Sequence, residues 1–506
     1  MRDPLRRVVI VGGGSAGWIT AAPLARMLCG DPAKRCEVVV VESPEIGTIG
    51  VGEATLPTIS FYNQMLGLDE ADFVRSTKAS FKLGIEFRDW GRVGHHFFHG
   101  FGEFGPNIHH RPLWMYWLRL RAADPTLPSY EEWSTATVMA RQGRFALPRP
   151  GEASPAGAYS YAYHFDAALY GAYLRDYALR HGAQRIEGTI THVETRPEDG
   201  FVSTLVLRDG RRVDGDLFID CSGFRALLIG GAMNSPFEDW SHWLPCDRAL
   251  AVPSERVDPV TPCTTSTAKV AGWQWRIPLQ HRTGNGLVYC SAYLSEDTAS
   301  ALLLSGLDSK ALDEPRPLRF TTGRRREAWV KNVVAVGLSS GFLEPLESTS
   351  IQLIMDGVSR LTALWPDQQF APALAAEFNR QMAYRYESVR DFIILHYKLG
   401  ERRDSDFWRY CAGMPIPDAL AHQIELFSST GRVAILEPEG FGVPSWASIF
   451  MGLGLMPERY DPYVDLVDGD VVRQHLTGVR EAIRQTVSAM PAHGDFLARW
   501  ARAGSA

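Results

Sequence analysis

The sequence has 506 residues, few cysteines and no block of like charge. Its seven cysteines (29, 36, 221, 246, 263, 290 and 411) are scattered, with no CxxC pair. This spacing argues against a metal cluster and points to a reducing, cytoplasmic setting. A net charge of −6 without a basic run argues against nucleic acid or an anionic membrane surface as partner. No apolar run reaches the ~18 residues of a membrane span. Arg6 and Arg7 precede an apolar stretch, as in a signal peptide, but four glycines break it. It reads as a first strand and turn. Internal repeats, low-complexity segments and flexible linkers are also missing. What is present is an ordinary globular composition, 45% hydrophobic and 22% charged, enough for two or three domains. Fourteen Trp and 24 Phe fit a large apolar pocket or large aromatic cores equally well.

The clearest motif opens the chain. "RVVIVGGGSAGWITAA" is a β-rich run followed by Gly12-x-Gly14-x-x-Gly17 and helix formers. Glycines permit the tight turn and close approach of backbone to a pyrophosphate. The N–H groups around Ser15 and Ala16, at the helix start, supply donors and partial positive charge. The acidic partner follows in "EVVVVES", where Glu42 is placed to bond a ribose hydroxyl. Pro23 is expected to kink the first helix. The same glycine pattern recurs at Gly100, Gly102 and Gly105, but without a suitable strand before it, and with Pro106 after it. That copy is read as a loop.

Three further glycine-rich units follow, "GTIGVGEATLP" (47–57), "GDLFIDCSG" (215–223) and "NVVAVGLSSG" (332–341). In the first, Glu53 reads as structural. In the last, Gly337 and Leu338 form the turn. Several strand-turn units converging on one cofactor suit an extended FAD better than a transient nicotinamide. No second glycine fingerprint is visible for NAD, so reduced flavin is expected from another protein. Residues 165–184 have helical spacing, and 95–150 read as irregular and proline-punctuated. From 351 onward helical patterns dominate, including "ALAAEFNRQMAYRYESVRDFIILHYKL" and "VVRQHLTGVREAIRQTV".

These residues resemble the flavin-dependent halogenases of the tryptophan-halogenase family. The resemblance rests on "GGGSAGW" (12–18), "GVGEATLP" (50–57), "FKLGIEF" (81–87), "FHGFG" (98–102), "GWQWRIP" (272–278) and "EPLESTS" (344–350). Trp273-x-Trp275-x-Ile277-Pro278 looks like the family's WxWxIP signature. The implied fold class is α/β, an FAD-binding Rossmann-like domain of the flavin monooxygenase/glutathione-reductase type with an appended, mostly helical substrate domain. The expected flavin domain is discontinuous (1–90, 155–250 and 325–365). The expected substrate side comprises 95–150, 255–320 and 366–506.

By position, the resemblance implies that Lys82 and Glu347 are catalytic, and that the turn at Thr349 and Ser350 binds halide. It implies that reduced FAD, O2 and chloride or bromide yield hypohalous acid, and that a separate NAD(P)H-dependent flavin reductase is the partner. Metal is not expected, and a homodimer is compatible. A lysine suits the holding of hypohalous acid, and a carboxylate suits removal of the proton from a halogenated ring. Each residue also has a plainer reading. Lys82 could be a solvated lysine. Glu347, Ser348 and Thr349 could cap the following helix. Trp273 and Trp275 share one strand face, either as core or as a wall between substrate and flavin. His99, Phe101, Phe441 and Trp446 are candidate pocket residues. The sequence departs from the free-tryptophan enzymes in two ways. Ser350 stands where they usually carry glycine. Their Tyr-Tyr-Gly stretch is replaced by "SSTGRVAILEPEGFGVPSW" (428–446). The expected substrate is therefore a small aromatic such as indole or a substituted indole, with Glu437 or Glu439 as the alternative site for an ammonium. A hydroxylating flavin monooxygenase and a non-catalytic flavoprotein are the competing readings.

Overall fold

The computed structural model describes residues 3–30, 36–45, 52–435 and 440–503. The strand Arg7–Val11 lies inside a six-stranded sheet. It pairs in parallel with Leu217–Asp220 on one side and Glu37–Glu42 on the other. Gln184–Glu187 and Val333–Ala335 extend the sheet in parallel, and Trp329–Val330 closes one edge antiparallel. The continuous apolar runs of these strands are what a parallel sheet covered on both faces requires. Alternate residues feed two cores: Val8 and Ile10 face the main one, Val9 and Val11 a smaller one. The main core extends as far as Leu497, so the nucleotide-type sheet and the C-terminal helices are packed together.

A seven-stranded sheet flanks this unit, in the order Arg316–Arg319, Arg248–Glu255, Arg282–Tyr289, Gly272–Pro278, Thr264–Lys269, Gly84–Arg88 and His96–Gly100. A three-stranded sheet joins Gly52–Ala54, Ala162–Asp166 and Ser80–Lys82. The 28-residue helix Pro372–Leu399 packs on the helix Ser350–Ala363. Together these elements bring residues 82, 99, 347 and 396 to one place.

One expectation needs correction. Residues 95–150 are not irregular: they hold the strand His96–Gly100 and the helices Leu113–Ala123 and Thr135–Arg141. The helix Leu113–Ala123 is buried on most of its surface, so it shows no amphipathic period to read. A strand therefore does precede the second glycine pattern. However, it pairs antiparallel with Gly84–Arg88, and no helix begins before Leu113.

Pro23 sits within the helix Ser15–Leu28 without ending it. Proline has no N–H to give the Ile19 carbonyl four residues back. The buried Tyr62 hydroxyl donates to that carbonyl instead, from the neighbouring helix Thr58–Met65. Tyr62→Phe is therefore expected to cost ~1–3 kcal/mol by leaving a buried acceptor unpaired. The penalty should shrink in a Pro23→Ala background, where the backbone N–H restored by that substitution supplies the missing donor. Urea unfolding of the four-member cycle measures this, and additive losses would remove the explanation.

Candidate active site

A cavity of about 660 Å³ opens at the carboxyl ends of the parallel strands, where open α/β sheets bind ligands. Its walls include the turn Gly12–Ala16, Glu42, Cys221 and Gly337–Leu338. The three motif glycines serve different ends. Gly12 has φ +112°, and a Cβ there would overlap the Cys221 carbonyl. A Cβ on Gly17 would overlap the Gly12 carbonyl. A Cβ on Gly14 would meet no protein atom within 4 Å. Gly14 is also the N-cap of the first helix, with no side chain bonded to the cap and no acid in the first turn. The helix N–H groups around Ser15 and Ala16 thus face open space of the kind a pyrophosphate fills. Glu42 accepts from Arg185 Nε at the cavity wall. Glu53 also lines the cavity, and burial pushes its carboxyl up to about 7.

The far wall is formed by Trp273, Trp275, Ser348 and Ser350. The two indoles lie 6.0 Å apart at 55°. Trp273 Nε1 donates to Glu344 Oε2 at 2.9 Å, and the Tyr397 hydroxyl donates to the same oxygen at 2.6 Å. Burial raises the Glu344 carboxyl to about 7. The Trp pair is both core and wall: Trp273 is almost wholly buried, yet both rings border the cavity.

The turn after this wall overturns the capping reading. Pro345–Glu347 is a single 3₁₀ turn, and Ser348 then adopts φ +62° and ψ 35°. This left-handed residue redirects the chain, so that Glu347 points into the interior rather than along the helix that starts at Ser350. Thr349 occupies the N-cap position without a side-chain capping bond. Its Oγ1 is buried and has no partner. Backbone N–H groups at such a helix start have no intrahelical acceptor.

Glu347 is fully buried. His99 Nδ1 lies 3.0 Å from its Oε2, and His396 Nε2 lies 3.0 Å from its Oε1. Burial by itself would raise this carboxyl. The charge of His99 and hydrogen bonds from His396 and His99 outweigh it and hold the group down at about 2.

The surface-lysine reading of Lys82 is also overturned, because the side chain has no exposed area. Nζ donates to the Thr55 carbonyl at 3.0 Å and to Ser348 Oγ at 2.7 Å, and stands 5.0 Å from the centre of the Phe101 ring. Burial lowers its pKa to about 7, against the opposing pull of Glu347. Neither Lys82 nor Glu347 lines the large cavity; Ser348 does, and Lys82 bonds to it from behind.

Beyond Glu347 lies an aromatic cluster. Phe392 stacks on Phe441 at 4.0 Å and meets Trp446 edge-on at 4.9 Å. The His99 ring is 6.3 Å from Phe101 and 6.3 Å from Phe441. Three elements therefore converge here: the strand His96–Gly100, the helix Pro372–Leu399 and the segment leading into the helix Val443–Gly452. Sequence reasoning missed Phe392, His396, Glu344 and Tyr397. The spacing of Phe392 and His396, four apart on one helix face, was a visible sign, but nothing local says what that face meets. Glu437 and Glu439 lie outside the described residues.

The site thus combines a dinucleotide-type cavity with a buried lysine and a buried carboxylate close to its wall. A family model for tryptophan halogenase matches residues 7–469, and the chain belongs to that family. It is a flavin-dependent halogenase, using reduced FAD, O2 and halide. Among solved structures, it is similar to BrvH, a flavin-dependent halogenase from Brevundimonas sp. BAL3. The identity is 48%, the TM-score 0.94, and 98% of this chain and 99% of that one are covered. Xcc4156, a flavin-dependent halogenase from Xanthomonas campestris, gives 45% identity and a TM-score of 0.94, with 98% of each chain covered. Among curated relatives, the 7-chloro-L-tryptophan 6-halogenase KtzR of Kutzneria sp. (strain 744) is 35% identical, over 97% of this chain and 99% of its own length.

Because Gly14 faces open space, Gly14→Val should leave the thermal midpoint of the flavin-free protein within about 2 °C while abolishing FAD binding. Gly17→Val should instead prevent folding, since its Cβ meets backbone. Calorimetry and flavin-fluorescence titration separate the two. Normal flavin affinity in Gly14→Val would remove this turn from the cofactor site.

Proposed function

We propose that the chain halogenates indole or a substituted indole, with Lys82 and Glu347 as its catalytic pair. The observation that carries this reading is the placement of Ser348. It borders the cavity, accepts from Lys82 at 2.7 Å, and follows Glu347 directly in the chain. The pair thus stands between the cavity and the aromatic cluster.

Bound reduced FAD, with O2, supplies the oxidising equivalents that turn chloride or bromide into hypohalous acid. FAD would be held by Gly12, Gly14, Ser15, Ala16, Gly17, Glu42, Gly337 and Leu338, and the halide by the backbone N–H groups of Thr349 and Ser350. The flavin domain is the discontinuous one (1–90, 155–250 and 325–365). A separate cytoplasmic NAD(P)H-dependent reductase delivers the reduced flavin. Trp273 and Trp275 keep the aromatic substrate away from the flavin.

Lys82 as an ammonium donates a hydrogen bond to the oxygen of hypohalous acid and draws electron density from the halogen. The ring carbon attacks the halogen, the oxygen–halogen bond breaks with its electron pair going to oxygen, and the departing hydroxide takes a proton from the Lys82 ammonium and leaves as water. Glu347, an ionised carboxylate, takes the proton from the same carbon, and the C–H electron pair restores aromaticity. His99, Phe101, Phe441 and Trp446 surround the ring.

The preference for indole rests on the apolar character of this cluster. A free amino acid brings an ammonium and a carboxylate whose unpaired burial costs several kcal/mol. An indole makes no such demand, and gains ~0.5–1.5 kcal/mol per aromatic pair beyond burial. With weak orientation, bromination should fall on the electron-rich carbon C3. A reductase-coupled reaction with bromide, offered indole and L-tryptophan together and read by mass spectrometry, should yield mainly bromoindole. Preference for tryptophan, brominated at one benzene-ring position, would overturn the substrate class.

Lys82→Ala and Glu347→Gln should each retain FAD affinity and lose ~10²–10⁴-fold in halogenation rate. A near-normal rate in either, with free oxidant scavenged, would remove that residue from the pair. The pH profile tests the form of Lys82. As a donor it acts in its protonated form, so the wild-type rate should fall as pH rises through about 7. A rate that increases over that range would overturn the donor role.

A further inference from the structure

The two imidazoles on Glu347 are held differently. His396 has both ring nitrogens engaged. Nδ1 lies 2.8 Å from the Phe392 carbonyl oxygen one turn back on its own helix, and Nε2 lies 3.0 Å from Glu347 Oε1. A carbonyl oxygen only accepts, so Nδ1 carries a hydrogen. With Glu347 ionised, Nε2 must carry one as well to donate to the carboxylate. Both side chains are fully buried, so neither meets solvent directly. The ring cannot readily turn away. It sits 4.9 Å from Phe87, 6.0 Å from Trp90 and 5.4 Å from Phe392.

His99 is the looser partner. Its Nδ1 meets Glu347, but its buried Nε2 has no partner, and the ring borders Phe101, Phe392 and Phe441. Lys82, from the strand Ser80–Lys82, feels the charge of Glu347 as well. Oε1 thus meets the helix-borne His396 at 3.0 Å and His99 at 3.1 Å, while Oε2 meets His99 at 3.0 Å, on the side of the aromatic cluster.

We propose that His396 is the positioning residue of this site: it fixes the Glu347 carboxylate in place and keeps it ionised, and so sets the acidic limit of the enzyme's activity. This rests on the reading of Glu347 as the proton acceptor. Without His396, the carboxylate loses a charge-assisted hydrogen bond while its burial remains, so its affinity for a proton rises. A protonated Glu347 accepts nothing. The active form would then disappear at a higher pH than in the wild type.

The test uses the full-length enzyme with indole, bromide and photochemically reduced FAD, so that no reductase contributes its own pH dependence. His396→Phe, His396→Gln and Glu347→Gln are compared with wild type from pH 5 to 9. His396→Phe should lower kcat ~10-fold or more. Flavin affinity and KM for indole should stay within about two-fold, because neither ligand touches His396 in this reading. Wild type, its carboxylate held at about 2, should show no acidic limb within this range, whereas in His396→Phe the limb should rise into it. In His396→Gln the side-chain amide can donate to Oε1 without a charge. It should recover most of the wild-type rate at the same pH above that limb while keeping the raised limb. A wild-type kcat and pH profile in His396→Phe would overturn the proposal. So would equal damage in both His396 variants with no limb in this range, which is the mark of a structural role. If His396→Phe does not fold, the limb of His396→Gln decides. Glu347→Gln separates the two layers of the argument. If it halogenates at the wild-type rate, the acceptor role falls and this proposal falls with it. If it is impaired while the His396 variants match wild type, only the proposal about His396 fails.

Discussion

The rest of the site depends on a carboxylate that has been buried and kept charged. Taking an ion from water into a protein interior costs several kcal/mol, even after relaxation, and is tolerated only with partners in good geometry. Glu347 obtains them from two histidines on different elements, a strand and a long helix. This requirement fixes how the helix Pro372–Leu399 must lie against the strand His96–Gly100. It also explains the left-handed Ser348, a conformation that few residues other than glycine adopt willingly. The backbone there has to turn the carboxylate inward and still begin a helix two residues later.

The same turn gives Lys82 its setting. Its strand is tied on either side, through Ser80 Oγ to the Pro278 carbonyl and through Phe81 N–H to His493 Nε2. His493 donates from Nδ1 to the Val260 carbonyl, so the ring is held in one tautomer with Nε2 free to accept. Phe81 stacks on Phe145 at 4.1 Å and meets Phe496 edge-on at 5.4 Å. The last helix of the chain therefore supports the strand that carries the lysine. This arrangement suits an oxidant that must not escape. A buried amine with a pKa near neutrality is dry, and close in pH to the point where it gives or takes a proton. Trp273 and Trp275 border the cavity as well, and Trp273 is anchored to Glu344, which also accepts from Tyr397.

Much of the fold was legible in the sequence because it rests on local rules. The glycine pattern after an apolar strand requires a tight turn at a helix start, and continuous valine runs require a sheet covered on both sides. The long helices from 350 onward carry their period openly. The buried helix Leu113–Ala123 did not, since an element covered on nearly all sides has no contrast between its faces. The setting of Pro23 was hidden for a related reason. The hydroxyl that satisfies the Ile19 carbonyl belongs to Tyr62, in another helix, and no local pattern marks it.

The candidate site divides along the same line. The cofactor turn could be named from its own glycine pattern, and Lys82, Glu347 and the Trp pair through the resemblance of their short motifs to the tryptophan-halogenase family. The sequence by itself determined the class of fold, the kind of cofactor and the family chemistry. It left open whether Glu347 capped a helix and whether Lys82 met solvent. Only the tertiary structure decided both, through contacts between residues far apart in the chain: Lys82 to Ser348, Glu347 to His99, and Glu347 to His396. A side chain's charge state and direction depend on what is packed against it, and packing is a property of the assembled chain. His396 shows this most plainly. In the sequence it is one histidine near the end of a long helix, and in the structure it is a partner of a buried carboxylate.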